Sequence, residues 1–227
     1  MNKYYCKYEK TSNYCYPYSD ILINKLDIRD EKLLSHYERK LVAIRQVELI
    51  NNPLKGNLDF EHLKNIHQYL FQDLYDWAGK IRICDIAKRD LFCLSQYIES
   101  YAEGVFKNFE KNNYFISMQY DEKIAALTSL FGDINALHPF REGNGRTQRE
   151  FINIVARING LNINFVNIQM DEMIEASHFI NSGHEEMLRN LISKNIKKIN
   201  FKEQKIYIQK YVKSKDIQRK LLSFIDE

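Results

Sequence analysis

Only 8 glycines and 3 prolines punctuate a chain of 227 residues. A sandwich or barrel built from short strands needs a turn signal roughly every ten residues, and those signals are mostly glycine and proline. So few chain breakers leave long uninterrupted segments, which read as helices. Apolar residues make up 44% of the chain and charged residues 28%, enough to bury a core and too apolar for a disordered chain. The length sits near the upper end of what one hydrophobic core serves, so one domain is expected, two at most.

The apolar spacing places the helices. Leu33, Leu34, Tyr37, Leu41, Ile44 and Val47 recur at helical intervals over about 30–49, and Asn51, Asn52 and Pro53 end that run. A second helix is predicted over 60–77, with His67 in its apolar stripe and Gly79 closing it. The one convincing strand signal follows. Residues 80–86 alternate, Lys88, Arg89 and Asp90 form a polar turn, and Leu91 to Leu94 is apolar again, which predicts a short β-hairpin. Further helices are predicted over 95–110, 119–137, 144–158, 170–180, 184–196, 201–212 and 214–225. Residues 1–27 are tyrosine- and asparagine-rich and aperiodic, and read as an extended arm.

The chemistry is concentrated between His138 and Arg149. Pro139 disfavours helical geometry at the residue before it, so the 119–137 helix stops at His138 and leaves the imidazole at the lip of the core. Glu142, Gly143, Asn144 and Gly145 then open the next helix. Glycines flanking an asparagine let the backbone turn and present N–H groups, and a helix N-terminus adds partial positive charge. On that helix Arg146 and Arg149 share one side, roughly opposite Phe151, Ile154, Val155 and Ile158. Paired guanidinium groups beside an anion-binding turn suit a polyphosphate. Glu142 is a hard oxygen ligand of the kind that holds Mg²⁺ together with substrate phosphates, and His138 can take a proton from an attacking hydroxyl. Base, acid, turn and arginines fall within twelve residues, and no Gly-Lys-Ser/Thr signature is present.

The run His138-Pro139-Phe140-Arg141-Glu142-Gly143-Asn144-Gly145-Arg146-Thr147-Gln148-Arg149 resembles in full the H-P-F-x-[D/E]-G-N-G-R-x-x-R motif of the Fic family. Gly79 to Phe92 is similar to that family's flap hairpin. The resemblance implies an all-α fold, a Fic-type helical bundle with a short β-hairpin flap over the active site. It also implies a protein adenylyltransferase that moves AMP from ATP to a hydroxyl of a target protein. His138 would then be the general base, and Pro139 and Phe140 the anchors of the loop. Glu142 would bind Mg²⁺. Gly143, Asn144 and Gly145 would form the anion hole, and Arg146 and Arg149 would clamp the phosphates that leave. Asp85, Ile86, Lys88 and Phe92 of the flap would position the target segment as an added strand. The implied division is an arm over 1–27, a Fic domain over 28–196 with flap 80–94 and motif 138–149, and a basic helical extension over 197–227. Gly145 separates the chain from the related Doc group, which phosphorylates its targets.

Many Fic enzymes carry an inhibitory [S/T]-x-x-x-E-[G/N] helix. The three Ser-x-x-x-Glu matches here, Ser95 to Glu99, Ser182 to Glu186 and Ser223 to Glu227, all lack the final Gly or Asn. The class without it pairs with a small separate antitoxin that supplies the helix, so the resemblance implies a toxin held in check in trans. Family precedent for its target points to DNA topoisomerase subunits or, in host-directed relatives, small GTPases. Ten Lys/Arg against two acids between Lys194 and Lys220 make the C-terminal end basic, read as a solvated helical face or a docking surface. Cys6, Cys15, Cys84 and Cys93 have no metal-site spacing and read as free thiols. With no apolar leader and no membrane-length run, the expected site of action is the cytoplasm, or a host cell if the chain belongs to a translocated effector. The alternative reading is a silent module that binds a partner or nucleic acid, or an enzyme transferring another phosphate-containing group.

Overall fold

A computed structural model describes residues 5–6, 14–89 and 91–225. Most of the expected arm (1–4 and 7–13), Asp90 of the expected turn and Glu227 lie outside the described residues. Nine α-helices are described: α1 (Glu31–Asn51), α2 (Phe60–Phe71), α3 (Ile98–Lys111), α4 (Tyr120–Leu137), α5 (Asn144–Ile158), α6 (Met170–Asn181), α7 (Glu186–Lys194), α8 (Phe201–Tyr211) and α9 (Lys215–Ser223). Their starts are written in the sequence. Asp30 caps α1 by accepting from the Leu33 N–H at 2.8 Å, and Asp59 caps α2 through the His62 N–H at 2.8 Å. Gln119 and Glu122 close a capping box at α4.

The core centres on α4 and α5. α4 packs on α3, α5, α6 and α7, while α5 also packs on α2 and α8. Leu127, Phe131, Ile134 and Leu137 of α4 meet Phe151, Ile152, Val155 and Ile158 of α5, all buried. α1 is braced to the end of α2 by Arg45, whose fork reaches both Asp73 oxygens at 2.7 and 2.8 Å and Glu48 at 2.7 Å.

Among the described residues four short strands form two pairs. β1 (Tyr5–Cys6) runs antiparallel to β2 (Ile86–Ala87), and β3 (Leu161–Ile163) antiparallel to β4 (Ile196–Lys198). The second pair is not legible as alternation, since three residues on each side carry too short a pattern. It ties the end of α5 to the C-terminal helices, and the expected division between residues 196 and 197 runs through β4. Ile208, Tyr211, Val212 and Leu221 belong to the same core as α4 and α5.

The flap hairpin is present and narrower than 80–94. Ala87 bridges Leu91, and the Phe92 N–H donates to the Ile86 carbonyl at 3.3 Å. Residues 80–85 are irregular because the expected alternation is inverted there. Arg82 is 1% exposed while Ile83 is 74% exposed. The buried guanidinium ends the strand early.

Candidate active site

The motif loop sits between α4 and α5. His138 caps α4 in the left-handed region (φ 42°, ψ 60°), a strained choice for a non-glycine residue. Its ring is not at the lip of the core as expected. It is 4% exposed, because the Phe92 ring stacks on it at 3.7 Å between centroids. His138 Nδ1 lies 3.1 Å from the Asn135 carbonyl. A carbonyl has no proton to give, so Nδ1 carries the hydrogen and Nε2 is the basic nitrogen. Burial pushes the imidazole down to about 3, partly countered by the bond to Asn135 and reinforced by Arg82 and Lys88 nearby. At neutral pH the ring is neutral and able to accept a proton.

Arg82 fastens the flap to this loop. Its Nε donates to the His138 carbonyl at 2.8 Å, Nη1 to the Cys84 carbonyl at 2.7 Å, and Nη2 to the Cys93 carbonyl. Its own N–H donates to the Pro139 carbonyl at 2.9 Å. One buried side chain thus holds both arms of the flap and the base.

Beneath the loop lies an aromatic stack. Phe140, 1% exposed, faces the His67 ring at 3.8 Å, and Phe71 lies on the other side at 4.7 Å. The Gly79 N–H donates to His67 Nδ1 at 2.8 Å, so Nε2 carries the proton and donates to the Glu142 carbonyl at 2.9 Å. Burial pushes His67 down to about 3. Asn144 closes the loop from above, accepting from the Phe140 N–H at 2.9 Å and donating to its carbonyl at 2.7 Å. Its side chain is therefore a brace, and only its backbone N–H is available to an anion. Gly143 stands at φ +84°, and a Cβ there would fall 2.3 Å from Phe71, so no other residue fits.

α5 begins at Gly143 without a side-chain cap, unlike α1 and α2. An uncapped helix start of this kind can take an anion on its first N–H groups. Arg149 Nη1 lies 3.3 Å from where a Gly145 Cβ would stand, so the guanidinium folds back over the same helix start. Arg146 lies over the Phe71 ring at 4.7 Å, donates to Glu38 of α1 at 2.5 Å, and stands 3.7 Å from Glu142. Burial and the neighbouring Glu38 raise the Glu142 carboxyl above its usual range.

These groups line one cleft of about 650 Å³, a size that suits a nucleotide. His138, Glu142, Gly143, Gly145, Arg146 and Arg149 border it, joined by Lys88 and Phe92 of the flap. The other two expected flap contacts face inward. Ile86 is fully buried, and Asp85 accepts from the Ser95 N–H at 2.7 Å and its hydroxyl at 2.9 Å. Four participants escaped the motif: Glu38, His67, Arg82 and the Asn135 carbonyl. His67 and Arg82 carried a faint signal, a titratable residue inside an apolar stripe and a charge inside the strand.

No cluster of three metal-ligating side chains occurs among the described residues. A single carboxylate, Glu142, beside an anion cradle fits Mg²⁺ shared with substrate phosphates rather than a metal caged by protein alone. Among the described residues no helix is long and apolar enough to cross a membrane.

Comparison with known proteins agrees with this geometry. Residues 57–156 match the Fic/DOC family. Protein adenylyltransferase VbhT of Bartonella schoenbuchensis is 36% identical over 192 residues, which cover 84% of this chain and 40% of that protein. This chain thus spans well under half of VbhT. "Probable protein adenylyltransferase y4lH" of Sinorhizobium fredii is 34% identical over 71% of this chain and 84% of its own length. Among solved structures, the N-terminal Fic domain of a VirB-translocated Bep effector protein from Bartonella quintana, with bound ADP, superposes with a TM-score of 0.76. Its sequence identity is 25%, over 83% of this chain and 96% of that one. With the complete motif on a loop of this geometry, the chain belongs to the Fic/DOC family.

Proposed function

We propose that this chain transfers AMP from ATP to a hydroxyl side chain of a target protein. The observation that carries the reading is the placement of a tautomer-fixed His138 in the cleft where the uncapped start of α5, Arg146 and Arg149 converge. The hydroxyl oxygen bonds to the α-phosphorus, and its proton passes to His138 Nε2. The bond from that phosphorus to the β-phosphate oxygen breaks and pyrophosphate leaves. The backbone N–H groups of Asn144 and Gly145 and the two guanidinium groups hold the phosphates in line. Glu142 would hold a Mg²⁺ ion, which when bound neutralises phosphate charge. Lys88 and Phe92 border the approach and are the flap residues placed to touch the target. The names of VbhT and y4lH and the ADP of the Bartonella quintana domain support the same chemistry.

We further propose a toxin restrained by a small antitoxin carrying the [S/T]-x-x-x-E-[G/N] helix, acting in the cytoplasm of its own cell or of a host, with a DNA topoisomerase subunit as the target class. Two observations support the restraint in trans. The Ser95 to Glu99 and Ser182 to Glu186 runs are followed by Ser100 and Met187 rather than Gly or Asn, and α1 exposes Leu33, Tyr37, Ile44 and Val47 along the helix that carries Glu38 and Arg39 to the cleft. An apolar face there suits a partner helix. Expression of the chain alone should arrest growth, and His138→Ala should relieve the arrest. Equal growth of the two strains contradicts the toxin reading. Incubation with lysate and α-labelled ATP, followed by identification of the labelled protein, tests the target class.

A further inference from the structure

Beside a cleft suited to phosphates, the fold buries a carboxylate that the motif does not contain. Glu38 comes from α1, its side chain is 13% exposed, and it takes the Nη2 donor of Arg146 at 2.5 Å. Its other oxygen accepts from the Tyr75 hydroxyl, and Tyr75 is held in turn by stacking on Trp77 at 4.3 Å. A negative charge in this position works against a bare polyphosphate, so anion binding alone does not account for it.

The competition for Arg146 does. Glu142 Oε1 lies 3.7 Å from the same Nη2, too far for a hydrogen bond, and accepts instead from the Gly143 N–H at 2.9 Å. Two carboxylates face one donor, and the acid pinned by Tyr75 takes it. Phe71 fixes the guanidinium plane from below at 4.7 Å. With Glu38 removed, Arg146 and Glu142 would close on each other, and the acid would be lost to an ion pair.

We infer that Glu38 is a positioning residue that holds Arg146 away from Glu142 and so tunes the cleft to a cation-complexed nucleotide over a bare one. The inference rests on the nucleotide-binding reading above. With Glu38 on Nη2 and Glu142 3.7 Å from it, two acidic side chains crowd one guanidinium, an arrangement that suits a triphosphate carrying a divalent cation better than a bare one.

The test is calorimetric binding of a non-hydrolysable ATP analogue to the full chain, with Mg²⁺ and with chelator, in wild type, Glu38→Gln and Tyr75→Phe. The quantity read is the ratio of the two Kd values, the preference for the Mg²⁺ form. Glu38→Gln should shrink that preference by about fivefold or more, the usual size of coupling between neighbouring sites. Tyr75→Phe keeps the ring and frees only the pinned acid, so it should shift the ratio the same way by less. It also serves if Glu38→Gln fails to fold. Loss of affinity by the same factor with and without Mg²⁺ is what a merely structural brace would give, and it overturns the inference, as does an unchanged ratio. A wild type that binds neither form overturns the nucleotide reading itself, whereas normal wild-type binding with an unmoved ratio overturns only the role of Glu38.

Discussion

At the residue scale, His138 is held ready by its surroundings. The left-handed cap aims the ring, Asn135 fixes its tautomer, and Phe92 shields it. Because none of these contacts involves the phosphate cradle, base and binding site are separable. His138→Ala should lower the rate of transfer by about 10²–10⁴-fold while leaving the nucleotide Kd within error, as calorimetry on the same preparation will show. An equal loss in both would mean that His138 binds rather than catalyses. The motif residues were legible because their types name their chemistry at fixed spacing. Asn144 is implied to join the anion hole, and its side chain spends both polar groups on Phe140, which leaves the backbone N–H for that role; a sequence does not say which way an amide points. Glu38 was out of reach, since nothing in α1 marks one of its acids as the partner of an arginine 108 residues downstream.

At the element scale, one buried side chain, Arg82, ties both arms of the flap to the motif loop. Helix boundaries could be read to within a residue or two where a cap and an apolar period coincide, as at Asp30 and Asp59. The second helix ends at Phe71 rather than near 77, because the chain turns there to carry Tyr75 and Trp77 into the aromatic stack. The flap resisted reading for a different reason. Period-two alternation assumes that charges face water, and Arg82 breaks it by serving three carbonyls inside the protein. Arg82→Met should therefore strand three buried acceptors and cost about 3 kcal/mol or more. For a chain of this size that corresponds to a Tm lower by very roughly 6–12 °C. Transfer activity should fall further than stability accounts for, since the His138 carbonyl loses its anchor. A Tm within a degree of wild type would show that the flap is held by its other contacts.

At the scale of the whole molecule, one core unites the motif with α1 at one end and α9 at the other. A truncation after residue 199 removes Ile208, Tyr211, Val212 and Leu221 from that core and should yield insoluble or molten protein, whereas a dispensable basic tail would leave a sharp thermal transition. Charge sets a second global property. His67 and His138 are pushed down to about 3 in the folded chain, against about 6.5 when unfolded. The unfolded chain then binds protons that the folded one refuses, so stability is full above pH 6.5 and is lost as pH falls toward 3. Each histidine costs about 1.4 kcal/mol per pH unit in that window. Half-buried Glu142, Asp133 and Glu150, whose carboxyls are raised mainly by desolvation, oppose part of this. Tm should fall between pH 7.5 and 5, and less steeply in His138→Ala; a Tm that rises toward acid would reverse the sign. The reaction itself is decided most directly by parallel incubations of the protein, Mg²⁺ and cell lysate with ATP labelled at the α- or the γ-phosphate. An adenylyltransferase transfers label to protein from the α-position only, and His138→Ala abolishes it. Label from the γ-position alone, or α-label undiminished in His138→Ala, contradicts it.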